Sequence, residues 1–335
     1  MGEAERNDKA RAILLYSGGL DSALASELLL RAGLDVLCVQ FESVFFPPRH
    51  ARGYGPPGDT VRADISEEMV RLVRDPQYGL GKNANPCLDC KQMMYSKAWE
   101  IAQTHGGDFI ATGEVLGQRP MSQNLPAFRR MEKGAGVPGL VVRPLSGKLL
   151  PPTIPEQAGL VNRADMLDLH GRSRKPQIEL AAKWGIEDYP TPAGGCKLTD
   201  PQFARRALRL RDMGCLSVAN VRAAHCGRFF ELGERAFVLV GRNHEDNVRL
   251  LASAPEDALV LQLDSGPGPL ACLLGEPDAE QLDRARRLVV RYSRFRDLPP
   301  DQVRADGVAR ARQQFQATAQ QMGHSAGPTG SRGQG

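Results

Sequence analysis

The chain begins with short apolar runs that alternate with a stretch of helical spacing. Residues 12–16 (AILLY) and 35–41 (DVLCVQF) are nearly continuous apolar runs, which are typical of strands buried on both faces of a parallel sheet. Between them, residues 23–32 carry leucines at 24, 28 and 29, a spacing that predicts a helix ending near Gly33. This strand–helix–strand order predicts a parallel sheet covered by helices on both faces.

The same pattern continues further along the chain. Apolar runs predict two more strands, at residues 108–112 and 139–145. Periodic stretches predict three more helices, at residues 64–74, 91–105 and 175–184. The fold class predicted for this part of the chain is therefore α/β, with a doubly covered parallel sheet.

The pattern changes near residue 201, where shorter strands and Arg-rich helices begin. The predicted helices of this region are 201–213, 243–252 and 278–293, and its predicted strands are 229–232, 236–240, 259–263 and 270–274. Residues 313–335 are polar and rich in Gly and Ser, which predicts a disordered tail. We therefore expect one domain over residues 1–200, a smaller α+β domain over 201–312, and a tail.

Composition excludes several classes of protein. The chain has 335 residues, of which 41% are hydrophobic and 24% charged, with a net charge of +4, so it is not disordered as a whole. No apolar run reaches the roughly 18 residues that a membrane helix needs, and residues 1–11 lack the apolar core of a signal peptide. We therefore expect a cytoplasmic protein without a membrane partner. Seven cysteines are too few for a disulfide scaffold and point instead to metal binding or catalysis.

The type of basic residue changes along the chain, from lysine and arginine to arginine alone. Lys197 is the last lysine, so all 19 basic residues from 201 onward are arginine, against 15 acidic residues. A guanidinium group binds a phosphate through two parallel hydrogen bonds and also stacks on bases, so this region is suited to RNA. A base-composition bias of the genome would produce the same pattern, so the charge permits RNA binding without requiring it.

Residues 17–22 (SGGLDS) lie between the first strand and the first helix. Two glycines allow the backbone to approach phosphate oxygens, and the helix N-terminus attracts anions. The predicted nucleotide-binding residues are Ser17, Gly18, Gly19, Asp21 and Ser22, with Asp21 suited to holding Mg²⁺ or orienting the loop. The chain lacks the GxxxxGK motif of kinases and GTPases.

Three cysteines stand in loop-like segments. Cys87 and Cys90 form a CxxC pair, and Cys196 follows two glycines far along the chain. Three thiolates suit an iron–sulfur cluster and leave one iron open, whereas zinc normally takes a fourth protein ligand. A redox-active thiol pair remains an alternative, and Cys38 and Cys272 are expected to be core residues.

Four parts of the sequence resemble segments of known families. The SGGLDS segment resembles the PP-loop of N-type ATP pyrophosphatases, whose members adenylate an oxygen of their substrate and release pyrophosphate. Residues 85–91 (NPCLDCK) and 195–196 resemble the two cysteine motifs of tRNA 2-thiouridylases and related iron–sulfur tRNA thiolases. Residues 111–118 and 121–123 resemble the TGE-LGQ-SQ segment of tRNA 4-thiouridine synthases, which implies that Gly113, Ser122 and Gln123 lie beside the nucleotide. Residues 242–250 are similar to a segment of NFACT-R-type RNA-associated modules.

The resemblance implies an ATP-dependent tRNA sulfurtransferase. Its implied catalytic residues are Asp21, Cys90 and Cys196, and its implied metal ligands are Cys87, Cys90 and Cys196. Its implied cofactors are ATP, Mg²⁺ and a 4Fe-4S cluster, and its partners are tRNA, a sulfur donor (sulfide or a persulfide carrier) and a second copy in a homodimer. We expect neither the THUMP nor the rhodanese domain of longer 4-thiouridine synthases.

Three alternatives remain open at this point. The ATP loop also suits a small-molecule acceptor. The cysteines also suit a persulfide on Cys90 or Cys196 that is resolved by a disulfide. A non-catalytic RNA-binding iron–sulfur protein is a further alternative, although such a protein has no need of the SGGLDS loop.

Overall fold

A computed structural model describes residues 9–46, 58–187, 189 and 195–324 of the chain, with residues 318–324 described by their backbone alone. The chain divides into two compact units, residues 1–204 and 205–335. The division falls inside one helix, four residues beyond the boundary expected from the sequence. Within the described residues, every helix is too short or too polar to cross a bilayer.

The first unit is built on a five-stranded parallel sheet, which confirms the predicted α/β class. Its strands are β1 Arg11–Leu15, β2 Asp35–Glu42, β3 Thr60–Asp64, β4 Phe109–Thr112 and β5 Val141–Val142, and their order in the sheet is β3-β2-β1-β4-β5. Its helices are α1 Leu20–Arg31, α2 Ser66–Arg74, α3 Cys87–His105, α4 Leu125–Gly134, α5 Ile154–Gln157 and α6 Lys175–Trp184. From β1 the chain adds β2 and β3 on one side of the sheet and then β4 and β5 on the other. The strand order therefore reverses between β1 and β4, and such a reversal opens a crevice at the carboxyl ends of the strands.

Apolar side chains cover both faces of this sheet. On one face, α1 and α6 pack over residues that include Leu14, Leu24 and Phe109, all fully buried. On the other face, α3 and α4 contribute Tyr95 and Phe128 to a second core that packs against the sheet. Burial on both faces explains why β1 and β4 have almost no polar positions in sequence.

Two strands of this sheet differ from the expectation. β3 lies in a stretch without an apolar run, because it is an edge strand whose side chains are half-buried or exposed. β5 covers two residues rather than the predicted residues 139–145. Gly139 adopts a left-handed conformation (φ +74°), and Pro144 has no N–H to donate to a neighbouring strand.

The second unit contains an antiparallel sheet, which confirms the smaller α+β domain. After α7 Pro201–Asp212, the elements are α8 Val218–Ala223, β6 Arg228–Gly233, β7 Ala236–Val240, α9 His244–Ser253, β8 Leu259–Leu263, β9 Ala271–Gly275, α10 Ala279–Tyr292, β10 Val303–Gly307 and α11 Val308–His324. The strand order is β10-β8-β9-β7-β6, and α10 packs on one face over a core that includes Val238, Leu261 and Val289.

The predicted tail is partly wrong. The helix α11 runs to His324, so residues 313–324 are helical rather than disordered. Its start contributes the buried side chains of Val308 and Ala311, and its side chains at Arg312 and Gln314 bond to neighbouring elements. These contacts anchor a sequence that is otherwise polar. Residues 325–335 lie outside the described residues, as does most of the predicted loop that leads to Cys196.

Candidate nucleotide and thiol site

The SGGLDS segment forms a tight turn from β1 into α1. Gly18 has a left-handed conformation (φ +70°), which glycine adopts without strain, and Gly19 is the N-cap of α1. The Ser22 hydroxyl donates to the Gly19 carbonyl at 2.8 Å, and the hydroxyls of Ser17 and Ser22 lie 3.3 Å apart. The N-cap contributes no side-chain hydrogen bond, so the first N–H groups of α1 are available to an anion.

Gly113 brings the end of β4 against this turn. A Cβ at Gly113 would lie 2.7 Å from the backbone nitrogen of Ser22 and still closer to the Asp21 carbonyl, so only glycine fits there. The crevice between β1 and β4 is therefore closed tightly at its base by two of the motifs that the sequence suggested.

The Asp21 side chain is held by two residues from later loops. Gln118 Nε2 donates to Asp21 Oδ2 at 3.1 Å, and Arg174 Nη2 lies 3.6 Å from Asp21 Oδ1. Asp21 Oδ1, Gln118 Oε1 and Arg174 Nε are buried and have no hydrogen-bond partner. Buried polar atoms are normally satisfied, so this group of atoms is suited to a polar ligand such as a phosphate with its Mg²⁺.

Ser122 and Gln123 lie in the loop that also carries Gln118. Both are buried, at 4% and 6% exposure, and the Gly117 N–H donates to the Gln123 carbonyl at 2.6 Å. Gln123 Oε1 is a further buried atom without a partner. The structure thus places both residues on the same loop as Gln118.

A buried ion network lies next to this loop, and sequence reasoning assigned no role to its members. Glu114 accepts from Lys91 Nζ at 2.9 Å and from Arg143 Nε at 3.2 Å, and it is also bonded to the Tyr95 hydroxyl. Arg143 binds Glu132 at 2.6 Å as well. The available signal was a charged residue in an otherwise buried segment, since Arg143 directly follows the two valines of β5.

The electrostatics of Glu114 are dominated by its cations. Burial raises the pKa of Glu114, but the charges of Lys91 and Arg143 outweigh burial and lower that pKa to about 2. For the Tyr95 hydroxyl, burial and the neighbouring Glu114 charge raise the pKa well above its usual value. Glu114 is therefore an anion and Tyr95 a neutral donor at any physiological pH.

Cys87 and Cys90 occupy the first turn of α3. Asn85 Nδ2 donates to Cys87 Sγ at 3.1 Å, and the Cys90 N–H donates to the Pro86 carbonyl at 2.8 Å. Both thiols are free and half-buried. The next residue is Lys91, so the cysteine helix reaches Glu114 directly.

The segment of Cys196 packs against the loop before α3. The Ala84 N–H donates to the Leu198 carbonyl at 3.3 Å, and Asn83 Nδ2 donates to the Thr199 carbonyl at 2.7 Å. Cys196 is also free and half-buried. These bonds bring together two segments that lie 116 residues apart in the sequence.

The three thiols lie within electrostatic reach of one another. Burial, with smaller contributions from the nearby Cys196 and Cys87, raises the pKa of Cys90 to about 12 despite the lowering by Lys91. Burial likewise raises the pKa of Cys196 to about 11, with Cys87 adding to the increase. Free thiols in this environment stay protonated, so a metal or another cation is needed to hold them as thiolates.

The donor chemistry suits an iron–sulfur cluster, but the side chains are not arranged as a finished site. Three thiols from two segments are the soft ligands that such clusters take. Among the residues that the structure describes, however, no group of three or more His, Cys, Asp or Glu side chains is placed to hold a metal ion. Cys38 and Cys272 are buried as core residues, as expected.

The first unit is therefore an α/β unit whose SGGLDS turn resembles a PP-loop, and the second is a smaller α+β unit. Residues 227–324 match the family model described as the NFACT protein RNA binding domain. The chain is 28% identical over 130 residues to a tRNA-specific 2-thiouridylase from Petrotoga mobilis, covering 32% of this chain and 35% of that protein. It is 29% identical over 150 residues to a probable tRNA sulfurtransferase from Thermococcus kodakarensis, covering 42% of this chain and 38% of that protein.

The chain thus spans little more than a third of the length of these curated relatives. A solved structure described as a predicted subunit of tRNA methyltransferase, from Methanocaldococcus jannaschii, aligns over 51% of this chain and 75% of its own. Its sequence identity is 13% and its TM-score 0.32. The resemblance to tRNA thiolation enzymes therefore rests on the sequence and on the motifs of the first unit.

Proposed function

We propose that this protein is an ATP-dependent tRNA sulfurtransferase, which replaces a carbonyl oxygen of a uridine by sulfur. The observation that carries the proposal is the contact between two separate motifs. Gly113 packs against Asp21 and Ser22, and Gln118 donates to Asp21, so the SGGLDS turn and the TGE-LGQ segment form one pocket base. The curated relatives that share parts of this chain are named for tRNA thiolation.

In the proposed reaction, the α1 N-terminus and the hydroxyls of Ser17 and Ser22 bind the phosphates of ATP. Asp21 binds Mg²⁺, and Gln118 and Arg174 hold its carboxylate in place. The uridine carbonyl oxygen attacks the α-phosphate, and the bond to pyrophosphate breaks. Sulfide then adds to the activated carbon, and AMP leaves with the former carbonyl oxygen, so the base gains C=S without any change of oxidation state.

The three cysteines are the proposed sulfur-handling groups. Cys87, Cys90 and Cys196 are the residues that would hold a 4Fe-4S cluster, and such a cluster would supply a site for the sulfur nucleophile. The packing of the Cys196 segment against the loop before α3 supports this role, because it brings soft sulfur donors from two distant segments towards each other. The second unit is proposed to contact the tRNA.

A persulfide route is the second candidate. It is favoured by the arrangement of the thiols, since no three described metal-binding side chains surround one point. In this route Cys90 or Cys196 carries the transferred sulfur, and a second cysteine closes a disulfide that an external thiol must reduce. Iron analysis of anaerobically purified protein separates the two routes.

The test of the proposed function is a reconstituted reaction. Purified protein is incubated anaerobically with an unmodified tRNA transcript, MgATP and sulfide, and both pyrophosphate and thiouridine are measured. We expect both products to depend on ATP and tRNA together. Asp21→Ala and Ser17→Ala should abolish pyrophosphate release while the folded structure remains. If pyrophosphate release does not depend on tRNA but depends on an added small molecule, that molecule and not tRNA is the acceptor.

A further inference from the structure

Two exposed aromatic side chains stand close together in the second unit. Among the residues that the structure describes, the exposed Phe, Tyr and Trp side chains are Tyr292, at 37%, and Phe295, at 43%. They are three residues apart, at the carboxyl end of α10 and just beyond it. Aromatic rings are normally buried or half-buried, so two such neighbours indicate a contact surface.

Arginines are interleaved with these rings. The sequence from 291 to 296 reads Arg-Tyr-Ser-Arg-Phe-Arg, and Arg291, Arg294 and Arg296 are all exposed. In the described part of the chain, none of the three has a carboxylate within ion-pair distance. The other exposed arginines of this unit are often paired, such as Arg249 with Glu245 at 2.6 Å. The unpaired guanidinium groups are therefore concentrated beside the exposed rings.

The edge strand adds a fourth arginine and a third ring. The Arg228 guanidinium lies 4.7 Å from the centre of the Tyr292 ring, and the Phe230 ring lies 5.6 Å from it at an angle of 34°. Arg228 and Phe230 stand two residues apart on β6, so both face the same side of the sheet. These contacts fix Tyr292 in place while over a third of its surface stays open.

Acidic residues are sparse in the sequence around residues 291–296. The two carboxylates of α10, Glu280 and Asp283, lie in its first half, and Asp283 is paired with Arg287. Asp297 is the one acidic residue that follows directly. We name the surface formed by Arg228, Phe230, Arg291, Tyr292, Arg294, Phe295 and Arg296 the Tyr292 patch.

We propose that the Tyr292 patch binds an unpaired segment of RNA, with bases stacked on Tyr292 and Phe295 and phosphates bound by the arginines. Aromatic rings beside guanidinium groups suit single strands, because every base offers a flat face and every linkage a negative charge. A base-paired duplex offers no free base face to the rings. The proposal deepens the proposed function, on whose tRNA substrate it rests, by locating the RNA contact.

The experiment compares two patch variants with a matched control in the full-length protein, without ATP. Tyr292→Leu with Phe295→Leu keeps apolar volume but removes stacking. Arg291→Gln with Arg294→Gln and Arg296→Gln removes three charges. The control changes three exposed, ion-paired arginines, Arg235, Arg249 and Arg310, to Gln, which gives the same net charge. Circular dichroism melting identifies any variant that fails to fold.

The probes are a short single-stranded oligouridine, an unmodified tRNA transcript and a blunt RNA duplex. We expect the leucine pair to weaken oligouridine binding by roughly tenfold or more and duplex binding far less. The arginine triple should lower the slope of log Kd against log salt by about 2, as three lost phosphate contacts require. The control should change affinity only slightly.

Two results would overturn the proposal. One is that both patch variants bind oligouridine as the intact protein does. The other is that the intact protein prefers vesicles of phosphatidylcholine and phosphatidylserine to every RNA, which would make the patch a membrane contact. If the intact protein binds RNA through the Tyr292 patch but forms no thiouridine in the reconstituted reaction, that result would count against the proposed function alone.

Discussion

Lys91 Nζ lies 2.9 Å from Glu114 Oε1, and this ion pair joins the helix of the cysteines to the strand end at the nucleotide loop. Lys91 directly follows Cys90, and Glu114 directly follows Gly113, which packs against Asp21. The proposed sulfur-handling residues and the proposed ATP-binding residues are therefore linked through two adjacent side chains. Predictions about either site follow from this connection.

Replacing Gly113 by Ala should abolish ATP-dependent pyrophosphate release. The added Cβ would lie 2.7 Å from the Ser22 nitrogen, and the contact is with backbone, so the turn itself would have to move. Pyrophosphate release and equilibrium ATP binding are the measurements. Gly307→Ala is the control, because a Cβ there meets nothing within 4 Å. Normal ATP binding by Gly113→Ala would show that this contact does not shape the pocket.

Replacing Glu114 by Gln should destabilise the first unit by roughly 3–5 kcal/mol at pH 7, since Lys91 loses its buried counter-charge and Arg143 keeps only Glu132. Urea unfolding followed by tryptophan fluorescence reports on this unit, because Trp99 and Trp184 both lie in it. Glu68→Gln is the control. Its ion pair with Lys97, at 2.8 Å, is partly exposed and should contribute less than about 1 kcal/mol.

The effect of Glu114 should also depend on pH. Its pKa is lowered from 4.5 to about 2 on folding, so its contribution to stability is complete above pH 4.5 and is lost as the pH falls towards 2. The difference in unfolding free energy between the intact protein and Glu114→Gln should therefore be constant from pH 5 to 7 and shrink below pH 4.5. A difference that grows on acidification would contradict the ionised state of Glu114.

Single Cys→Ala changes at 87, 90 and 196 should each remove thiolation. In the cluster route each change should also lower the iron content of anaerobically prepared protein, because all three thiolates are ligands. Cys38→Ala and Cys272→Ala are the controls, since both thiols are buried in the cores of the two units. Full thiolation by iron-free protein that is supplied with a persulfide donor and a reducing thiol would favour the persulfide route instead.

Arg174→Gln should raise the KM for ATP more than it lowers kcat. Its guanidinium lies 3.6 Å from Asp21 Oδ1, and its Nε is buried without a partner, so it is placed to meet a phosphate and to orient Asp21. Arg172→Gln, two residues earlier in the same exposed loop, is the matched control. Equal steady-state constants for Arg174→Gln and the intact protein would remove Arg174 from the site.

The parts of the fold that the sequence predicted are those in which burial and periodicity agree. β1, β2 and β4 are apolar because helices cover both faces of the sheet, and α1 shows its leucine spacing for the same reason. β3 and β10 escaped prediction, because edge strands with half-exposed side chains leave no apolar run. α11 escaped because neighbouring elements, rather than its own apolar stripe, hold a polar sequence in place.

For the candidate site as well, local motifs could be predicted from the sequence and contacts between distant segments could not. Ser17, Gly18, Gly19, Asp21 and Ser22 could be predicted as a group because a phosphate-binding turn would need a fixed local order of residues, and the structure places them in one turn before α1. Contacts between distant segments could not be found in that manner. Neither the approach of Gln118 to Asp21, 97 residues apart, nor the binding of Arg143 to Glu114 leaves a periodic trace in the sequence.

The buried Glu114 network has a consequence for the way this sequence can diverge. Glu114 pairs with Lys91 and Arg143, and Arg143 also pairs with Glu132, so the loss of any one of these four charges leaves a largely buried network with an unbalanced net charge. Relatives should therefore keep the whole set or replace it together by neutral side chains. Chains that have exchanged it piecemeal should be rare, and aligned sequences should show these positions changing in step.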